Sequence, residues 1–485
     1  MFSASSATVS SSSVTTANSP RRRGMARLAA SVVASGLVMA GALAGAGSAV
    51  ADETPQHQGG AAAVLDGLKT FDRAVLHTNG RDQQLPAGLF EMTVDGGGKL
   101  KTYCIDIHNP TQDQAKYLET PWNQTSLGSN KNAGKIRWIL EHSYPQVDDL
   151  AALAKEAGTG PLTEKTAAAG TQVAIWRYSD DADIDAADAQ AEKLADWLEH
   201  SAVDQAEPKA SLALDPAAVS GKSGERLGPI TVHTNAGQAS VTPPADAASG
   251  VKVTDKAGKP VTAATDGAEL YFDVPAGAAD GTASLTVQAT TSVPVGRAFA
   301  GVTKSQTMIL AGSSESTVSA TATGTWAKKG AIPAVSAKKN CAKGGVDVTA
   351  SNTGDEAFTF ELAGAKHTVE AGKSETITVP VAEDQAYDFT ITGPGGFTKT
   401  FKGVLDCKTS GSATGGTETQ TGGDKTPATS GGSSTGSTTG GLGDLAETGG
   451  SSATPVIAGV AIALVVVGGG AVFLLRKRKA QTTAQ

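Results

Sequence analysis

The run Tyr103-Cys104-Ile105-Asp106 holds one of only three cysteines in 485 residues. Cys341 and Cys407 flank a later β-rich segment and can pair with each other, which leaves Cys104 as the odd thiol. In an oxidising compartment an unpaired thiol is a liability unless it has another use. Read as a strand, Leu100, Thr102, Cys104, Asp106 and His108 share one face, and Tyr103, Ile105 and Ile107 the other. The second face is core, so Cys104 is expected on the more polar face beside a carboxylate and an imidazole. A second segment, Thr171-Gln172-Val173-Ala174-Ile175-Trp176, lies on a predicted helix. Pro161 precedes that helix, Thr163 can cap it, and 166–178 is rich in Ala with Val, Ile and Trp. Ala168, Gln172, Ile175 and Trp176 fall on one face, so the Gln172 carboxamide is presented on an apolar stripe.

These two segments together resemble the bacterial surface thioester domain, also called the TQXA domain after the Thr-Gln-x-Ala standing at 171–174. The resemblance spans residues 60–205. It implies an internal thioester between the Cys104 sulfur and the Gln172 acyl carbon, with Asp106, His108, Thr171 and Trp176 as its surroundings. A carboxamide is a poor acyl donor, but two rigid elements that hold sulfur against it supply a large effective molarity. The resulting acyl group can be attacked by a lysine amine, leaving an isopeptide at Gln172 and a free thiol at Cys104. Shielding from water is part of that chemistry, and Ile175 and Trp176 are placed to provide it.

The elements around these residues fall into three folded units. Residues 60–205 read as α+β. Strand-like 89–94 and 100–107 flank the turn Asp95-Gly96-Gly97-Gly98, and apolar stripes at Ile136, Ile139, Leu140 and at Leu194, Trp197, Leu198 mark helices. Residues 208–330 show short β-favouring runs at 211–214, 230–232, 251–253, 270–274 and 284–287, separated by Gly, Pro and Asp. That spacing predicts an antiparallel Ig-like sandwich. Residues 338–408 read as a smaller Ig-like β-sandwich closed by a Cys341–Cys407 disulfide, with a turn at 393–396. A bridge closing so long a loop stabilises by about 4 kcal/mol in the chain-entropy model.

Both ends carry address signals. Arg21, Arg22, Arg23 and Arg27 precede a small apolar stretch and the Ala49-Val50-Ala51 cleavage pattern, so 1–51 reads as a signal peptide. Residues 409–444 are nearly all Gly, Ser and Thr with scattered charge, which reads as a disordered stalk. Leu445-Ala446-Glu447-Thr448-Gly449, the apolar run 456–475 and the basic tail 476–485 follow in order. The apolar run has the length of a transmembrane helix, and the basic cluster places the tail in the cytoplasm. This order resembles a sortase sorting signal, in the Leu-Ala-x-Thr-Gly form found in actinobacteria. It implies cleavage between Thr448 and Gly449 by a sortase, of class E type, and covalent attachment to peptidoglycan.

Removing both end segments leaves 32 basic against 48 acidic residues, a net charge of −16 rather than −8. Such a surface repels nucleic acid. No zinc spacing or phosphate loop occurs among three cysteines and seven histidines, so neither metal nor cofactor is expected. The expected function is a wall-anchored adhesin, not an enzyme, that attaches covalently to a lysine-bearing partner. A non-covalent surface protein with Cys104 as a free thiol is the alternative. A cysteine hydrolase with His108 as base fits poorly, because the two residues stand four apart on one strand and no oxyanion-hole signature is present.

Overall fold

In the computed structural model of the chain, residues 59–78, 80–245 and 250–409 are described. The signal peptide, the stalk beyond 409, the sorting motif and the apolar run 456–475 lie outside the described residues. Among the described residues no helix is long and apolar enough to cross a membrane.

The first unit opens with two long strands, β1 (Ala62–Thr78) and β2 (Arg81–Val94), followed by β3 (Lys99–Cys104) and β4 (Lys116–Thr120). The turn between β2 and β3 falls on the glycine run at 96–98, all three at positive φ where a side chain would be strained. Helices α1 (Ala133–Glu141), α2 (Leu150–Glu156) and α3 (Glu164–Ser179), the short β5 (Ile184–Ala186) and α4 (Ala189–Ser201) complete it. Helix α3 begins where its sequence predicts. Thr163 accepts from the Thr166 N–H, and Thr166 Oγ1 accepts from the Thr163 N–H, which closes a capping box. Every residue from Ala167 to Trp176 is buried, so α3 is a core helix and not an amphipathic one.

The middle unit contains β6 (Leu212–Asp215), β7 (Ala218–Lys222), β8 (Arg226–Thr234), β9 (Ala239–Thr242), β10 (Lys252–Thr254), β11 (Ala263–Ala264), β12 (Glu269–Asp273) and β13 (Gly281–Ser292). After them come β14 (Ala298–Gly301), β15 (Met308–Ser313) and β16 (Glu315–Ala327). Two sheets form here, in the orders β10-β12-β8-β6 and β11-β9-β13-β16-β7. Their pairs are antiparallel except β7 with β16, which is parallel, where the sequence predicts an antiparallel sandwich throughout.

The boundary expected at 208–330 needs correction. Between β13 and β16 the chain leaves the middle unit, and the hairpin β14–β15 inserts into the first unit's sheet, whose order is β2-β3-β15-β14-β4-β1-β5. Strand β15 pairs with β3 and β14 with β4. The reason is burial. Phe299, Met308, Ile309, Leu310 and Ala311 are all fully buried, and without them β3 and β4 would be open edges. The first unit is therefore discontinuous in sequence, and the two units share one core.

The third unit starts at Pro333, five residues before the expected 338. Its strands are β17 (Pro333–Asn340), β18 (Gly345–Asn352), β19 (Phe358–Leu362), β20 (Ala365–Val369), β21 (Lys373–Pro380), β22 (Ala386–Thr392) and β23 (Thr398–Val404). They form three small sheets around a separate core led by Phe358, Phe360, Val346, Val348, Ile391 and Phe401. Cys341 and Cys407 are joined by a disulfide across a sequence separation of 66, as expected.

Candidate functional site

Cys104 is the last residue of β3 and is fully buried and free of any disulfide. Ile105 N–H donates to Thr307 O on the β15 side, so alternation turns the Cys104 N–H and C=O toward the opposite edge. There the β2–β3 pairing has already ended, at Phe90 with Thr102. Gln172 fills the gap. The Cys104 N–H donates to Gln172 Oε1 at 2.9 Å, and Gln172 Nε2 donates to Cys104 O at 2.8 Å. The carboxamide thus acts as one more rung of ladder, which fixes the acyl carbon beside the Cys104 backbone. Gln172 is also fully buried, on the middle turn of α3.

The sulfur is held by the next peptide but one. Asp106 N–H donates to Sγ and the thiol donates to Asp106 O, both at 3.2 Å. Burial pushes the thiol well above its usual range, with Asp180 and Asp106 adding like-charge repulsion. The Asp106 N–H and the Trp176 indole oppose that shift. Trp176 Nε1 is buried and makes no hydrogen bond of full geometry, but it faces the thiol closely enough to lower it.

Three carboxyl groups surround this point. Asp106 is 1 % exposed, and burial followed by Asp406 and Asp180 pushes its carboxyl well above the carboxylate range. Its Oδ2 accepts from Asn109 Nδ2 at 2.7 Å, whereas Oδ1 has no donor. Asp180, just past the end of α3, accepts from the Ile107 N–H at 3.0 Å, and burial raises it to about 7. Asp406, from the third unit, accepts from Thr307 Oγ1 at 2.6 Å, and burial raises it to about 6.

The predicted site residues divide. Cys104, Gln172, Asp106 and Trp176 come together. Thr171 lies beside them, its hydroxyl donating back to Ala167 O within the helix and acting on the buried Tyr103 hydroxyl of β3. His108 does not join them. Strand β3 ends at Cys104, the chain turns, and His108 is exposed. The alternation that would align it with Cys104 therefore stops four residues short. The same break corrects the expected polar face, since Thr102, Tyr103, Cys104, Ile105 and Asp106 are all buried. Sequence reasoning missed Asn109, Asp180, Asp384 and Asp406. Of these, Asp384 and Asp406 are nearly three hundred residues from the motif and carry no local signal.

Residues 101–204 match the family model described as "Thioester domain", which agrees with the resemblance read from Cys104 and 171–174. Residues 333–404 match a second model, the C-terminal domain of bacterial phospholipase C. No curated protein matches. Among solved structures, the chain is similar to the TIE protein of Bacillus anthracis, at 14% identity and TM-score 0.26, covering 71% of this chain and 63% of that one. It is also similar to the thioester domain of the Enterococcus faecium TIE86 protein, at 16% identity and TM-score 0.26, covering 55% of this chain and 97% of that one. The chain thus spans less than two thirds of the Bacillus anthracis structure.

Proposed function

We propose that this chain is an exported, wall-anchored adhesin whose Cys104 and Gln172 form an internal thioester that acylates a lysine amine on a partner. The observation that carries the reading is the doubly hydrogen-bonded, fully buried Gln172–Cys104 contact inside the segment matched by the thioester-domain model. In the first step Sγ attacks the Gln172 carbonyl carbon. The S–C bond forms, the C–N bond breaks, and the thiol proton leaves with the nitrogen as ammonia. Gln172 Oε1 already accepts from the Cys104 N–H, so that donor meets the negative charge developing on the oxygen. Asp106, with one carboxyl oxygen free of donors, is better placed than His108 to relay the proton. In the second step an amine attacks the same carbon, the S–C bond breaks, and the amine proton goes to sulfur. Each chain reacts once, so the protein is a reagent and not an enzyme.

The wall-anchoring part of the reading is supported by the 445–449 motif and the segments behind it. A sortase is the implied partner, with peptidoglycan as the attachment. The target is a surface or protein bearing an accessible lysine.

The test is mass. Freshly purified protein is expected to be one ammonia lighter than its sequence after the disulfide is counted, and methylamine is expected to add at Gln172 and expose one titratable thiol at Cys104. Full mass and no adduct in folded protein would leave Cys104 as a passive buried thiol. Wall-released protein should end at Thr448.

A further inference from the structure

Beyond β3 the chain turns, and the turn is pinned at several points. Ile105 N–H donates to Thr307 O, Ile107 N–H donates to Asp180 Oδ1, and Pro110 O accepts from the Gln306 N–H. Within the turn, the Asp106 N–H donates to the Cys104 sulfur and Asp106 O accepts from the thiol. Three residues further on, Asn109 is 7 % exposed and uses one nitrogen twice. Its Nδ2 donates to Asp106 Oδ2 at 2.7 Å and, across to the third unit, to Asp384 Oδ1 at 3.2 Å. Asp384 is itself anchored. Its Oδ2 pairs with Lys304 Nζ at 3.3 Å, and its N–H donates to Leu405 O at 2.8 Å. An amide nitrogen carries two hydrogens and accepts nothing, so both hydrogens of Nδ2 are spent on carboxyl oxygens. Turning the amide over would set its oxygen against both partners, which fixes its orientation.

We infer that Asn109 is a positioning residue for the acyl centre: it holds Asp106 so that the proton exchanged with Cys104 and Gln172 rides on Oδ1, and the docked third unit holds Asn109 through Asp384. Such a role rests on the proposed thioester chemistry. An oxygen that accepts from a donor-only group cannot also carry a proton toward it, so a protonated Asp106 bears its hydrogen on Oδ1. Among the described residues Oδ1 has no partner, which leaves it open to exchange, and Asp106 is one of the charges that act on the thiol. In the first step the thiol proton passes to Oδ1 as the S–C bond forms. Oδ1 then gives it to the nitrogen as the C–N bond breaks and ammonia leaves. When an amine attacks, its proton passes to Oδ1 as the new C–N bond forms, and from there to sulfur as the S–C bond breaks. Asn109 gives and takes no proton. A carboxyl group free to rotate would present either oxygen, so the amide contributes orientation. The segment matched as a thioester domain ends at residue 204, and a centre aimed from Asp384 extends beyond it.

Asp106 is faced by Cys104 on β3, Tyr117 on β4, Asp180 past the end of α3, and Asp384 and Asp406 from the third unit. Against their charge the Asn109 donor favours the carboxylate, so its loss should push the Asp106 carboxyl further up. The test compares the full chain as wild type, Asn109→Ala, Asn109→Asp and Asp384→Ala, with a melting temperature for each. Methylamine addition at Gln172 is timed by intact mass across the pH range in which the proteins stay folded. Dividing variant by wild-type rate at each pH cancels the titration of methylamine itself. General acid–base help is worth about 10²–10⁴ in rate, so Asn109→Ala should slow addition at least about tenfold. The ratio should fall further as pH is lowered, because the variant loses its Asp106 carboxylate at higher pH. Asn109→Asp keeps the volume but sets an acceptor against two carboxyl groups, and should be slowed at least as much. Asp384→Ala should show a smaller loss in the same direction. If Asn109→Ala fails to fold or to lose ammonia, the pH ratio is read on Asp384→Ala. Unchanged rates, or a slower rate whose ratio is flat with pH, would overturn the positioning role and leave the thioester standing. An Asp384→Ala profile identical to wild type would overturn the third unit's part in it. No ammonia deficit and no adduct in wild type would sink the thioester, and the positioning role with it.

Discussion

Glu119 and Cys104 stand on two strands of the same sheet, β4 and β3, and both strands are completed by the same inserted hairpin. Glu119 is buried, yet both its oxygens are fully engaged. Oε1 accepts from Ser211 N–H and Arg297 Nε, each at 2.9 Å, and Oε2 accepts from the Ala61 N–H and the Ser211 hydroxyl. Arg297, 3 % exposed, also donates to Glu207 Oε1 and Pro208 O. Around Cys104 the reverse holds. Asp106 Oδ1, Trp176 Nε1 and Thr102 Oγ1 are buried without partners. Evenly satisfied buried charge is what a lock between units needs. Buried polar atoms left unsatisfied, beside carboxyls pushed toward neutrality, are what a reactive site tends to keep. The contrast separates structure from chemistry within one sheet.

Breaking the lock should have the largest effect on stability. Arg297→Ala leaves Glu119 as an uncompensated buried charge, and removing one partner of such a pair costs about 3–5 kcal/mol. Replacing both at once, as Arg297→Met with Glu119→Leu, should recover most of that loss, since apolar substitutes of similar volume are often neutral. Urea denaturation of the two variants checks this. Little loss in Arg297→Ala would mean that the network does not hold the units together.

The disulfide comes next. Cys341→Ser with Cys407→Ser should lower the stability of the third unit by about 2–4 kcal/mol. It should also loosen the segment that brings Asp406 to Thr307. Proteolysis of the third unit, with and without reductant, reads the first effect.

Gln172→Ala tests the other side of the contrast. It removes two hydrogen bonds to the Cys104 backbone and should cost about 1–3 kcal/mol, less than Arg297→Ala. The ammonia deficit and the methylamine adduct should nevertheless vanish completely. A variant that kept an adduct at another residue would move the chemistry away from α3. Trp176→Phe deletes the indole N–H and also shrinks the largest fully buried side chain, so stability should fall while the rate of amine addition changes.

Much of this was readable from local pattern. The capped helix around Gln172, the hairpin turn at 95–98 and the strand runs of the middle unit follow from short-range rules, the cysteine pairing follows from the count of three, and the structure keeps them. What was not readable depends on distant partners. The buried run Met308-Ile309-Leu310-Ala311 looks like any core strand, and nothing in it states that β3 and β4 are its neighbours. The polar face assigned to Cys104 failed for the same reason, because Thr102 and Cys104 on one face and Tyr103 and Ile105 on the other are all buried. Asp406 and Asp384 reach the site only through the docking of the third unit, so no spacing could reveal them.

The smallest expected effect is a pH dependence, and it carries the sign of the site. Asp180 is raised by burial from 3.8 to about 7. The folded state therefore keeps a proton that the unfolded chain releases, and the resulting stabilisation is fully present below about pH 4. It fades as pH rises through about 7 and is absent above that. Elsewhere the sign is opposite. Asp266, held down by the Thr234 N–H, and Asp347, held down against burial by Thr378 and Asn340, contribute stability that is lost on acidification. The whole protein's profile mixes both, so the informative quantity is a difference. Asp180→Asn keeps the oxygen that accepts from Ile107 N–H but cannot ionise. Wild type minus variant, measured by urea denaturation at several values between about pH 4 and 8, should show wild-type stability falling relative to the variant as pH rises. A flat difference would mean that Asp180 titrates as an ordinary surface carboxylate, and the contrast between a satisfied lock and a strained site would then rest on Asp106 and Trp176 alone.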